Sequence, residues 1–214
     1  GKHVDFTVET NRYTTIMDAL EQIRSEQDPS LLYRHSCHHG SCGTCGMIAN
    51  GARVLACTTP LHDLESPITL EPLAPYPVIG DLAVDPTSLY AEFPEDAGIL
   101  QESEAQPDAV VPRETERFTR FENCIECGLC ESACPVMNAP NRRFKGPAAL
   151  AAYGRELEKY PSRSTELLVE VDTPDGVWAC DRALQCSMVC PMEVYPAKHI
   201  AVLQRMAEKN APDA

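Results

Sequence analysis

The first apolar residues alternate. Val4, Phe6 and Val8 are separated by polar positions, the period of a half-buried strand. The period then lengthens: Ile16, Ala19, Leu20 and Ile23 recur at helical spacing behind Thr14 and Thr15, either of which can cap a helix running to about Gln27. Asp28-Pro29 ends that helix, because the residue before proline avoids the helical region. Residues 37–45 carry no period and are rich in glycine. Residues 47–50 and 53–57 predict a hairpin across Asn50-Gly51, a favoured two-residue turn, and residues 68–73 predict a closing strand. Strand, helix, glycine loop, hairpin and strand make a small α+β domain.

Beyond residue 73 the pattern breaks. Residues 74–112 are rich in proline, and no Lys or Arg occurs between Arg53 and Arg113. Residues 101–112 read as a solvated connector. The remainder predicts helices at 114–123, 146–158, 165–171 and 197–208, with Pro147 and Pro196 suited to first turns. The domain layout expected is 1–92, a linker at 93–113, and a helical domain at 114–214.

Charge narrows the function. The formal net charge of −14 over 214 residues opposes nucleic-acid binding, which needs clustered cations. No apolar run is long enough to cross a bilayer, and no signal peptide is visible at Gly1, where the native chain is expected to start further upstream.

The 11 cysteines are the chemistry-bearing feature. They fall in three tight groups, the mark of metal ligation rather than of a disulfide framework. Cys37, Cys42, Cys45 and Cys57 have the C-x4-C-x2-C…C spacing of a plant-type [2Fe–2S] site. Three thiolates on one tight loop wrap one side of a small cluster, and the fourth returns from the hairpin. Gly40, Gly43 and Gly46 let backbone N–H groups approach the sulfurs. Zinc sites pair two C-x2-4-C knuckles, which this spacing does not.

The second and third groups form an internal repeat. Cys124, Cys127, Cys130, Cys134 and Pro135 spell C-x2-C-x2-C-x3-C-P, and Cys180, Ala183, Cys186, Cys190 and Pro191 repeat it with one cysteine replaced. In two-cluster ferredoxins the fourth Cys of each run binds the other cluster. That rule assigns Cys124, Cys127, Cys130 and Cys190 to a [4Fe–4S] cluster. It leaves Cys134, Cys180 and Cys186 for a cluster whose fourth corner faces the methyl of Ala183, hence [3Fe–4S]. The alternative at that corner is an outside ligand completing a [4Fe–4S] cube.

The three groups, their order and the Ala183 gap resemble the iron–sulfur subunit of the succinate dehydrogenase and fumarate reductase family, with details leaning to the fumarate reductase branch. The resemblance rests on Tyr33-Arg34-His35-Ser36-Cys37, Cys42-Gly43-Thr44-Cys45-Gly46-Met47, Cys124-Ile125-Glu126-Cys127-Gly128-Leu129-Cys130, Phe144-Lys145-Gly146-Pro147-Ala148-Ala149 and Gly176-Val177-Trp178, and it covers nearly the whole chain. It implies an α+β fold: an N-terminal plant-type ferredoxin (β-grasp) domain followed by a mostly helical bacterial-ferredoxin-like domain. It implies electron transfer between FAD on a catalytic flavoprotein subunit and a quinone at membrane anchor subunits, which also carry haem b in some members. It implies no catalytic acid or base on this chain, and a peripheral place on the cytoplasmic face of a bacterial inner membrane or the matrix face of a mitochondrial one. The chain departs from the family at His38, where Arg is common. It also has Val136-Met137-Asn138-Ala139 and Asp181 where quinone-reducing members place a Trp and a His. The competing functions are a subunit serving a thiol-, lactate- or glycolate-linked flavoenzyme, a free multi-cluster carrier, and a redox or iron sensor.

Among the remaining residues, His38 and His39 are expected at the subunit face rather than as cluster ligands. His62 and His199 are expected in surface or core roles. Trp178 is expected to pack in the core, Met188 and Met192 in an apolar shell around the third site, and Arg142, Arg143 and Lys145 in a solvated loop.

Overall fold

Thr15 starts the first helix, α1 (Ile16–Glu26), through a reciprocal cap. Its hydroxyl accepts from the Asp18 N–H, and the Asp18 carboxylate accepts from the Thr15 N–H at 2.8 Å. Ile16, Met17, Ala19, Leu20 and Ile23 are buried along one face, which is the stripe the spacing predicts. The hairpin also forms where expected. Strands β1 (Gly46–Ala49) and β2 (Ala52–Leu55) pair antiparallel, with Gly46 opposite Leu55. Asn50 and Gly51 both take positive φ, 47° and 79°, the requirement of a type I′ turn. Asn50 also ties the closing segment down, accepting from the Thr69 N–H and donating to the Glu65 carbonyl. Strand β3 (Leu70–Glu71) then pairs with the free edge of β1, giving the order β2-β1-β3.

The computed structural model describes residues 3–97, 104, 123–141 and 143–210, and it divides into two compact units at Pro86/Thr87. One expectation for the first unit fails. Residues 4–8 are not a strand. Phe6 and Val8 are half-buried and Val4 is exposed, so the alternation is real, but the backbone finds no ladder partner among the described residues. Part of the proline-rich seam, in contrast, is ordered: β4 (Val78–Gly80) and β5 (Ala83–Val84) form a small hairpin whose Asp81 carboxylate accepts from the Leu32 N–H.

The second unit opens with α2 (Thr87–Tyr90), whose Leu89 is fully buried. Phe93 packs against Ala151, Ala152 and Val194 of this same unit, and Glu92 pairs with Lys145 at 2.9 Å. Three longer helices make the core: α4 (Pro147–Lys159), α5 (Ser164–Val171) and α7 (Pro196–Asn210). Leu150, Tyr153 and Leu157 of α4 meet Leu167, Leu168 and Val171 of α5 and Ile200, Leu203 and Ala207 of α7. Gly154 lets α4 and α7 approach, since a β-carbon there would lie 2.9 Å from the His199 ring. These helices match the expected spans within two residues at either end. The short helices α3 (Leu129–Ala133) and α6 (Gln185–Met188) inside the cysteine runs were not foreseen. The helix expected at 114–123 falls outside the described residues except for Asn123, as do Arg142 and most of the linker.

Candidate metal centres

The first cysteine group sits on the loop between α1 and β1. Left-handed φ values at His38, Gly40 and Gly43 curl this loop so that its amides point inward. The N–H groups of His39 and Ser41 approach the Cys37 sulfur at 3.5 and 3.3 Å. The Gly40 N–H reaches the Cys57 sulfur at 3.3 Å, and the Cys37 N–H reaches that of Cys42 at 3.4 Å. The hairpin returns Cys57 to within 3.4 Å of Cys45, sulfur to sulfur. Four thiols and a ring of amide donors suit a thiolate-bound cluster, whose sulfurs carry negative charge and accept such bonds. The electrostatics agree. The His39 and Ser41 donors pull the Cys37 thiol down to about 5, while burial pushes Cys45 up to about 11. Gly40 is needed twice: it takes φ +76°, and a β-carbon would lie 2.9 Å from the Thr58 methyl.

The repeat noticed in the sequence is also a repeat of the backbone. Glu126 and Arg182, at matching positions, have φ of 53° and 54°. Gly128 and Leu184, again matching, are left-handed caps that start α3 and α6. Leu184 bears a side chain in a conformation that costs about 1–2 kcal/mol without glycine, so the second run keeps the ligand-loop geometry despite Ala183.

The cysteines of these runs separate by location. Cys124, Cys127, Cys130 and Cys190 line one cavity, so the last cysteine of the second run joins the first three of the first run. The Val194 N–H donates to the Cys190 sulfur at 3.4 Å, and Met192 lines the same cavity. Burial raises Cys124 to about 11 and Cys127 to about 12, and it holds Cys130 well above the usual thiol range. Cys134, Cys180 and Cys186 act on one another instead. Burial raises Cys134 and Cys186, and the charges of Cys180 on both and of Cys134 on Cys186 raise them further. Cys130 also feels Cys186, so the two groups are neighbours. Protonated, buried thiols that crowd one another are stabilised when a cationic metal replaces the protons.

Some surroundings differ from expectation. Trp178 is not core: it is 44% exposed and its indole N–H donates to Asp172 at 2.6 Å. A polar partner outside the helices holds it at the surface. Met188 is 77% exposed rather than part of a sealed shell. Lys145 is held by Glu92 instead of hanging in solvent. His38, His39 and His62 are exposed and His199 is half-buried. The sequence reading missed Gln204 on α7, which donates to the Val177 carbonyl and accepts from Arg182, bracing the strand of chain that carries Cys180. It also missed Glu131, a buried carboxylate beside Cys130 whose oxygen would touch a β-carbon at Gly146. A lone Gln on a helix face and a Glu between cysteines give no sequence signal.

Comparison with known proteins places the whole. Residues 1–91 match the family described as 2Fe-2S iron-sulfur cluster binding domain, and residues 120–194 match that described as 4Fe-4S dicluster domain. The chain is 37% identical over 213 residues to the fumarate reductase iron-sulfur subunit of Mycobacterium tuberculosis, covering 96% of this chain and 86% of that one. It is 36% identical over 192 residues to the Escherichia coli subunit of the same name, covering 87% and 78%. It is also 31% identical over 195 residues to the succinate dehydrogenase iron-sulfur subunit of Paracoccus denitrificans, covering 89% and 75%. A chain of the solved Mycobacterium smegmatis Sdh1 complex in the apo form superposes with a TM-score of 0.78, at 23% identity over 98% of this chain and 91% of that one. The chain therefore belongs to the iron–sulfur subunits of the fumarate reductase and succinate dehydrogenase family, electron-transfer subunits that carry a [2Fe–2S], a [4Fe–4S] and a [3Fe–4S] cluster.

Proposed function

We propose that Cys37, Cys42, Cys45 and Cys57 hold the [2Fe–2S] cluster, Cys124, Cys127, Cys130 and Cys190 the [4Fe–4S] cluster, and Cys134, Cys180 and Cys186 the [3Fe–4S] cluster. The observation that carries this assignment is the shared cavity of Cys124, Cys127, Cys130 and Cys190, the crossed pairing of a two-cluster ferredoxin. The bound clusters supply one-electron carriers between FAD of a catalytic flavoprotein subunit and a quinone held by a membrane anchor. The chain's own residues hold the sulfurs and aim amides at them. None serves as a catalytic acid or base.

The anchor-facing surface is the third cysteine group. Asp181, Arg182, Ala183, Leu184 and Gln185 are all exposed. Leu184 at 56%, Met188 at 77% and Trp178 at 44% present large apolar area around Cys180 and Cys186, as a surface covered by another subunit does. Among the described residues no helix is long and apolar enough to cross a membrane. Membership in the family supports a peripheral place docked on the anchor, on the cytoplasmic face of a bacterial inner membrane or the matrix face of a mitochondrial one.

Electron paramagnetic resonance with an iron assay tests the assignment. Anaerobically purified protein is expected to hold about nine irons per chain, with a [3Fe–4S] signal before reduction and a [2Fe–2S] signal after it. Ala183→Cys is expected to convert part of the oxidised-state signal to a silent [4Fe–4S] form of lower potential. About ten irons with no oxidised-state signal in the wild type would refute the three-cysteine site. An oxidised spectrum unchanged by Ala183→Cys would refute the ligand pairing.

A further inference from the structure

Outside the cysteine sites, one group of side chains brings metal-ligating atoms together. Glu21 lies on α1, and His35 and His38 lie on the loop that leads into and past Cys37. His35 Nδ1 and His38 Nε2 face each other at 3.0 Å, and Glu21 Oε1 lies 3.8 Å from His35 Nδ1. All three ligand atoms fall within 4.8 Å of one another. Four ligands about 2.0–2.1 Å from a tetrahedral zinc lie about 3.3–3.4 Å apart, so the observed separations bracket the required ones.

One ring can donate to the other across the 3.0 Å gap, and Glu21 Oε1, shut off from solvent on a side chain that is otherwise 45% exposed, has the neighbouring Tyr33 hydroxyl as its neutral donor. A carboxylate with one neutral donor beside it keeps a charge that a cation neutralises. Arg24, the nearest cation on the same helix, lies over the Tyr33 ring at 5.6 Å instead of capping Glu21. The backbone is committed to the arrangement as well. His38 takes φ 60°, a left-handed conformation that a histidine adopts at some cost, and the His35 ring is wedged at 5.2 Å from both Tyr33 and His38. The two rings and the carboxylate converge on one point.

We propose that Glu21, His35 and His38 form a binding site for a divalent zinc-class cation, separate from the cluster ligands. Two imidazoles and one carboxylate suit zinc, leaving a fourth position to water. The ion pins the approach to Cys37 onto α1. The site draws on no cysteine, so it stands whether or not the cluster assignments do.

The test uses the cluster-loaded full chain, dialysed against buffer with and without one equivalent of Zn²⁺ beyond any bound at purification. Iron content and the reduced [2Fe–2S] signal are followed in the same samples. One zinc per chain is expected to be retained with iron unchanged. Its X-ray absorption fine structure should show only nitrogen and oxygen neighbours near 2.0–2.1 Å. His35→Ala and His38→Ala should each lose the equivalent. Glu21→Gln, an isosteric change on an already formed helix, should weaken zinc binding at least tenfold while the [2Fe–2S] signal is kept. Failure of the wild type to retain zinc overturns the proposal. So does a sulfur shell near 2.3 Å, which would place the zinc on cysteines. Equal retention by the three variants overturns it too.

Discussion

Replacing Gln204 with leucine should strip the third cluster from the chain while leaving the first in place. Gln204 is 4% exposed on α7. Its Nε2 donates to the Val177 carbonyl at 2.8 Å, and its Oε1 accepts from the Arg182 guanidinium at 2.8 Å. These contacts grip the chain on both sides of Cys180. Leucine fills similar volume and makes neither bond. Val177 is fully buried, so its carbonyl loses its partner where water cannot replace it, at about 1–3 kcal/mol. Arg182 is exposed and turns to water, so its bond is worth only about 0.5–1.5 kcal/mol net. The segment around Cys180 is thus loosened by about 1.5–4.5 kcal/mol. Opening of that order exposes the cluster on every fluctuation. Spin-quantified resonance on one sample reads both outcomes: the oxidised [3Fe–4S] signal should fall several-fold, and the reduced [2Fe–2S] signal, held in the other compact unit, should stay. Gln204→Glu keeps an acceptor for Arg182 but loses the donor to Val177, so it should show most of the loss. Parallel loss of both signals would mean that Gln204 supports the fold as a whole. No loss of either would mean that the Val177 carbonyl is not worth its bond.

Gly40→Ala places a β-carbon at φ +76° against the Thr58 methyl, at about 1–2 kcal/mol for the backbone alone. The amide that reaches Cys57 must shift with it, so a potentiometric titration should find the [2Fe–2S] potential changed and the other two unchanged. Leu150→Ala empties a fully buried position between α4, α5 and α7 and should cost about 2–5 kcal/mol. The loss should register as a lower urea midpoint of the helical signal, and an unchanged midpoint would contradict the core described for the second unit.

The residues that were legible in advance are those whose physics is local. A capping box, a stripe of apolar side chains and an Asn-Gly turn declare themselves within a few positions, so α1 and the β1–β2 hairpin formed where the pattern put them. The prolines at 147 and 196 marked helix starts for the same reason. What was not legible depends on partners far along the chain. Residues 4–8 alternate correctly, yet a strand exists only if another backbone pairs with it. Residues 78–84 carry no strand pattern, yet Asp81 closes on Leu32 and a hairpin forms. Trp178 sits in an apolar stretch beside Cys180, and only Asp172, six residues before it, explains why it stays at the surface. The cysteine spacing was readable because ligation to one small cluster imposes its own geometry. The Glu21–His35–His38 group was not, because helix and loop positions with no fixed spacing come together only in the fold.

The burial of the three cysteine groups bears on what kind of carrier this is. A shuttle that meets its partners in solution needs one exposed centre. A wire between two fixed partners needs two accessible centres. Here the first site opens to the surface through His38, His39 and Ser41, and the third through Asp181, Arg182, Ala183, Leu184 and Gln185. The cavity of the second set is walled by Leu89, Ala148, Ala151 and Val194, and its four cysteines are half-buried. The cysteine lost from the repeat belongs to the third site, beside which Leu184 and Met188 are exposed. If the exposed apolar rim at Leu184 and Met188 were merely solvent surface, replacing both with glutamine would leave membrane association and quinone-linked turnover of the complex intact. A docking face predicts that the double variant assembles with its flavoprotein yet is released from the membrane.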